Sequence, residues 1–200
     1  MLFIITRITF WTIALVIAIF LIMKSSVIHK NRWLIIAFIT VVILTTIIAL
    51  IPIENTVITF SSPESAYNYN HSGKVKLIIN GNQTAFVIGT KGDTDIYTII
   101  PKVNNGFKIS MGYDTQRVTQ KIYESNSIYV YQYKNKNEKY ITVLNTHGDI
   151  LDIKDNHNSQ FKYLKNYNET LGKSFYCYYA YISEMNDQYT LYINGKSIEF

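Results

Sequence analysis

The chain has 200 residues, 48% of them hydrophobic, with 19 Lys+Arg, 14 Asp+Glu and one Cys. A single Cys excludes an intrachain disulfide framework, and no Cys/His spacing suits a structural zinc site. Four basic residues lie before residue 54, and fifteen face fourteen acids after it, so the high pI is not the basic patch of a nucleic-acid binder.

The chain is two materials. Residues 1–53 contain no Asp, Glu, Gly or Tyr, whereas all 9 glycines and 17 tyrosines follow. Residues 8–23 are uncharged. With residues 2–7 added, and Arg7 snorkelling to an interface, they read as a first transmembrane helix over about 2–23. A cleaved signal peptide would need its positive charge before the apolar core and a small-residue cleavage site after it. Here the larger basic cluster comes after the core, as Lys24, Lys30 and Arg32.

Residues 33–53 form a second uncharged run. As a helix it rises about 31 Å, against a hydrocarbon core of about 30 Å. Its Ile, Leu, Val and Phe residues favour insertion by roughly 4–8 kcal/mol, and Pro52 sits where such a helix stops. The basic loop 24–32 predicts a cytoplasmic turn by the positive-inside rule. Arg7, Lys24, Lys30 and Arg32 thus set the topology. Both termini and residues 54–200 then lie outside the plasma membrane, with the lipid bilayer as a partner. No acid, histidine or internal lysine lies in either run to carry ions. Thr40, Thr45 and Thr46 are expected to bond back to their own helix, so the pair reads as an anchor.

Residues 54–73 read as a juxtamembrane linker with one short helix near 62–70. Ser62 is the N-cap, Pro63 takes the first helical position and Glu64 the first turn. From residue 74 to 200, β-branched and aromatic runs alternate with turn clusters such as Asn80-Gly81, Lys91-Gly-Asp93, Asn135-Lys-Asn137 and Asn194-Gly195. This predicts about twelve strands. They fall into groups starting near 74, 117 and 161, which suggests three four-stranded units, closed as a trefoil-like barrel or split into a sandwich. The expected fold class is membrane-anchored all-β, with two N-terminal transmembrane helices and a mostly antiparallel β domain.

The segments Asn55-Thr-Val-Ile-Thr-Phe-Ser-Ser-Pro-Glu-Ser-Ala-Tyr-Asn-Tyr69 and Asn80-Gly-Asn-Gln-Thr-Ala-Phe-Val-Ile-Gly-Thr-Lys-Gly92 carry a resemblance. So do Ile99-Ile-Pro-Lys102, Gly106-Phe-Lys-Ile109 and Leu191-Tyr-Ile-Asn-Gly-Lys196. The chain resembles a set of uncharacterised small two-helix membrane proteins of low-GC Gram-positive bacteria with one extracytoplasmic β-rich domain. The resemblance implies the same topology and a bacterial envelope, and transfers no catalytic or binding residue.

Several side chains invite a functional reading. Tyr129, Tyr131 and Tyr133 share one face of a strand, and Tyr176 and Tyr178 share a face of another. Such rows can stack on sugar rings or meet a protein, but tyrosine also suits a half-buried pleated surface. Cys177 lies among aromatics and reads as a buried, inert thiol. His147 and Asp149 form an acid/base pair only if their turn folds into a pocket. Asp149, Asp152 and Asp155 lack the glycine and closing Glu of a calcium loop. The sequons at Asn82 and Asn168 carry no function in a bacterium. No GxSxG, HExxH or P-loop is present. The expectation is therefore an integral membrane protein that displays a β-rich binding or interaction domain. Its role is accessory, sensory or immunity-type, and its partner is another membrane or cell-wall component, with no cofactor and no metal. The alternative is an envelope hydrolase or transferase with a non-standard site.

Overall fold

The computed structural model describes residues 2–24, 30–92, 94–134, 136–168, 172–183, 185 and 188–200. Outside the described residues lie 25–29 of the predicted cytoplasmic loop, Asp93 and Asn135 of two predicted turns, and residues 169 and 170 of the second sequon. The side chains of Lys24 and Lys30 are also outside them.

Two helices open the chain, α1 (Leu2–Lys24) and α2 (Lys30–Leu50). They pack on each other as a hairpin. Thr40 and Thr46 donate their hydroxyls to Ile36 and Val42 carbonyls at 2.9 Å, within α2 as expected. The expectation of two transmembrane helices is corrected. Arg7 divides α1 and leaves 8–23 uncharged, while α2 stops at Leu50, so its uncharged part is 33–50. These runs rise about 24 and 27 Å, short of the roughly 30 Å core. Among the described residues no helix is long and apolar enough to cross a membrane. Residues 51–53, counted in sequence as helix, instead leave α2 and enter a 3-10 turn, Ile53–Thr56. Nor does Arg7 snorkel. Its guanidinium meets the buried Glu54 carboxylate at 3.4 Å and donates to the Ile51 carbonyl at 3.2 Å. With no spanning helix among the described residues, the topology read from Arg7, Lys24, Lys30 and Arg32 has no observed spans to orient.

Helix α3 (Pro63–Asn70) forms as its sequence predicts. The Ser62 hydroxyl accepts from the Ser65 N–H at 3.1 Å, and Pro63 opens the helix. A cap of this kind contributes about 1 kcal/mol.

Twelve strands follow among the described residues: β1 (Val75–Asn80), β2 (Thr84–Lys91), β3 (Thr94–Val103), β4 (Gly106–Phe107), β5 (Thr115–Tyr123) and β6 (Asn126–Tyr133), then β7 (Lys139–Asn145), β8 (Ile153–Asp155), β9 (Lys162–Asn168), β10 (Lys173–Ile182), β11 (Thr190–Ile193) and β12 (Lys196–Glu199). All pairings are antiparallel. The sheets are β1-β2-β3-β4, a central β5-β6-β7-β10-β9, and β12-β11-β8. Only the first of the three expected four-stranded units is a sheet of its own. The reason lies in β10, which is apolar or aromatic on both faces from Phe175 to Ile182. A strand of that kind must be covered on both sides, so it inserts beside β7. The short β8, with exposed Lys154, is left to the outer sheet.

Period-2 alternation then builds the layers. Toward the first sheet, the central sheet sends Tyr131, Tyr133, Tyr140, Cys177 and Tyr179, which pack with Phe86, Ile88 and Ile99. Toward the third sheet it sends Ile128, Val130, Ile141, Val143 and Ala180, which pack with Leu191, Ile193 and Ile198. The far face of the first sheet, with Val87 and Ile100, is covered by Ala66 and Tyr67 of α3.

Tyr67 also explains Gly89. A Cβ on Gly89 would lie 2.1 Å from the Tyr67 phenol oxygen and 2.4 Å from its ring carbon. That oxygen is buried without a hydrogen-bond partner. We expect Gly89→Ala to destabilise the fold by about 1–3 kcal/mol through overpacking. Tyr67→Phe should instead be neutral or stabilising, since it deletes a buried hydroxyl that bonds nothing. Urea unfolding of the full chain in mild detergent measures both.

Candidate functional site

The three-residue turn between β1 and β2 brings the first sheet against the central one. Gly81, Asn82 and Gln83 form it, closed by the Gly81 N–H donating to the Thr84 carbonyl at 2.8 Å. Beneath it lies Glu138, just before β7 and only 5% exposed. One carboxylate oxygen accepts from the Gln83 N–H at 2.8 Å and the Tyr181 hydroxyl at 2.9 Å. The other accepts from the Thr84 hydroxyl at 2.7 Å. Since the Thr84 proton goes to the carboxylate, the Tyr140 hydroxyl, 2.8 Å from Thr84 Oγ1, must donate to Thr84. The carboxylate is thus held by neutral donors, as a buried charge requires.

Gly81 is dictated by this packing. A Cβ there would come within 2.6 Å of the Tyr140 hydroxyl, 2.7 Å of the Tyr181 ring and 2.9 Å of Glu138. Read in sequence, Asn80-Gly81 signals a turn; in the structure the glycine also admits two aromatic rings and a carboxylate.

Two hollows among the described residues are lined by Tyr181. One, of about 330 Å³, is lined by Asn82, Gln83, Asn137, Glu138, Tyr181 and Ser183. The other, of about 440 Å³, shares Tyr181 and Ser183 and continues past Asn80, Ser159, Gln160 and Lys162. The two adjoin at Tyr181 and Ser183, which line both, and make up the two lobes of the candidate groove. Burial, and then the bond to Glu138, push the Tyr181 phenol up to about 12, so it stays protonated and donating at ordinary pH. Burial raises Tyr140 as well.

The tyrosines singled out in sequence lie elsewhere. Tyr131 sits 5.5 Å from Phe86 and 5.4 Å from Tyr97, ring to ring, inside the inter-sheet core. Tyr133 packs in the same cluster, its phenol pushed up to about 12 by burial and then by the Asp114 charge. Tyr129 lies under the Arg117 guanidinium at 5.4 Å. On the opposite face, Tyr178 is 4% exposed and its hydroxyl accepts from the Leu151 N–H at 2.8 Å. Tyr176 is half-buried and meets Tyr163 edge-on at 5.9 Å. Tyr129 neighbours Tyr131 and Tyr176 neighbours Tyr178, each pair at 6.4 Å, but the two rows face opposite layers.

Cys177 is buried 3.9 Å from the Asn166 amide, and burial raises its thiol above the usual value. His147 and Asp149 are both exposed in the loop after β7, whose bend the Asn145 side chain holds by accepting from the His147 N–H at 2.9 Å and donating to the Asp149 carbonyl at 2.6 Å. Asp155 is likewise built into a turn, accepting from His157, Ser159 and Tyr189. Among the described residues no three His, Cys, Asp or Glu side chains gather to hold a metal. Glu138 and Tyr181 escape a sequence reading because residues 134–139 look like a solvated turn. Only the packing of the 80–84 turn on this segment shows the acid to be buried.

Glu138→Ala strands three donors and should cost about 3–5 kcal/mol, and Glu138→Gln, which sets an amide against a donor, about 1–3 kcal/mol. Tyr181 adds a pH dependence. Its folded value exceeds the ordinary 10.0, so its contribution is complete below pH 10 and is lost as the pH climbs toward about 12. Tyr181→Phe should flatten the fall of stability across that window, read by denaturant melts at several alkaline pH values.

Comparison of the chain with known protein families, with curated proteins and with solved structures returns no match, so the functional reading stands on this geometry alone.

Proposed function

We propose that the protein is a membrane-held interaction module. The helical hairpin beds its apolar sides in lipid, and the three-sheet β region is displayed outside the cytoplasm for a partner. The observation that carries this reading is the exposure of the hairpin. Ile8, Phe10, Trp11, Ile13, Val16 and Phe20 of α1 are all more than 40% exposed, as are Ile35, Phe38, Ile39, Val42 and Ile43 of α2. At about 100° per residue the α1 positions spread over most of that helix's circumference, while those of α2, spaced i, i+3, i+4, i+7 and i+8, form one broad stripe. A partner helix would cover one side, whereas lipid covers all of them. Exposed apolar area on this scale marks a membrane or interaction surface. Lipid contact along the hairpin requires neither helix to cross. The near-neutral β region and the confinement of unopposed basic charge to residues 1–53 favour placing the β region away from the anionic inner leaflet.

The full chain should float with vesicles of phosphatidylglycerol and phosphatidylethanolamine. A variant with Phe10, Val16, Phe38 and Val42 changed to Asp should stay at the bottom of the gradient with its β-sheet circular dichroism intact. Protease added to intact cells should cut within residues 54–200. Flotation unchanged by the four acids, or a β region cut only after lysis, would overturn the lipid contact or the placement respectively.

A further inference from the structure

We propose that the two-lobed groove around Tyr181 is a binding site for a neutral oligosaccharide. The inference rests on the β region being an interaction module, but not on lipid holding the hairpin. Its warrant is the chemistry of the walls. Five carboxamides, those of Asn80, Asn82, Gln83, Asn137 and Gln160, line the two lobes. Each offers a donor and an acceptor in one plane. A sugar hydroxyl is likewise both donor and acceptor, so a carboxamide answers it in either sense. Ser159 and Ser183 add hydroxyls of the same dual character.

The charges present do not favour an ion. The carboxylate of Glu138 already accepts from Gln83, Thr84 and Tyr181, Lys136 stands in one lobe and Lys162 with His157 in the other, and no pair of cations converges on one point of either. Tyr181 supplies the aromatic element. A pyranose has an apolar C–H face and a rim of hydroxyls, which matches a ring bordered by amides. The ring is fixed in place, because its hydroxyl donates to Glu138 and accepts from the Asn82 N–H at 3.4 Å, and it packs 5.5 Å from Tyr140. Such fixing lowers the entropy lost on binding. The lobes, about 330 and 440 Å³, are each within the range of small-ligand sites. With one ring shared between them, they suit adjoining sugar units better than a single one.

The test is calorimetric titration of the full chain in a detergent without a sugar headgroup. The probes are maltotetraose, cellotetraose and the β-1,4-linked N-acetylglucosamine tetramer, each beside its monomer, at up to about 10 mM. At least one tetramer should bind, more tightly than its monomer. Asn137 and Gln160 are exposed, so Asn137→Ala and Gln160→Ala should leave the melting temperature unchanged while weakening binding at least about tenfold together. Tyr163→Ala, on an exposed ring outside the groove, should bind as the parent does. No binding of any tetramer, binding indifferent to the two groove variants, or binding abolished by Tyr163→Ala would each overturn the proposal. Vesicle flotation of the same samples reads the lipid contact separately, so either idea can fail alone.

Discussion

A buried carboxylate is tolerated only when its oxygens are met by donors. Glu138 is in that position, and its donors come from both sides of a layer boundary. Gln83 and Thr84 belong to the turn and first residue of β2, and Tyr181 to the end of β10. The registers of the first and central sheets are therefore coupled at this point. A one-residue slip of β10 would send Tyr181 to the opposite face and strand the acid. The same network sets the floor of the groove, so the surface offered to a ligand is shaped by a demand of the interior.

The central sheet shows how far the sequence could be read. Alternation along β10 separates Phe175, Cys177, Tyr179 and Tyr181 from Tyr176, Tyr178 and Ala180, and the two sets do face different layers. The turn residues bounded the strands well, and Ser62 and Pro63 placed the start of α3 to the residue. Strand partners were another matter. Periodicity gives a strand's faces but not its neighbours, and the equal spacing of the groups concealed the exchange that moves β8 outward and β9 and β10 inward. The candidate groove was illegible for a related reason. Its walls come from the 80–83 turn, the segment before β7, the end of β10 and the 157–162 loop, and each of these alone reads as an ordinary polar connection.

The N-terminal helices were read correctly as helices, but the second was set about three residues too far along the chain. Hydropathy counted residues 51–53 into the second helix, but the chain turns there so that Glu54 can meet Arg7. An acid after one apolar run and a base within another look like separate flanks in a sequence. Packed as a hairpin they form one ion pair, and that pairing shortens the uninterrupted apolar rise of both helices.

The strand exchange also has a consequence in time. Strands β5, β6 and β7 join through short hairpins and can pair as soon as they are made. Their face bearing Ile128, Val130, Ile141 and Val143 is covered chiefly by β11 and β12, which begin at Thr190. During synthesis that apolar face stands open for some fifty residues, several seconds at ordinary elongation rates. The nascent chain is then most at risk of joining a neighbour, and most dependent on a chaperone, while the last strands are still to come.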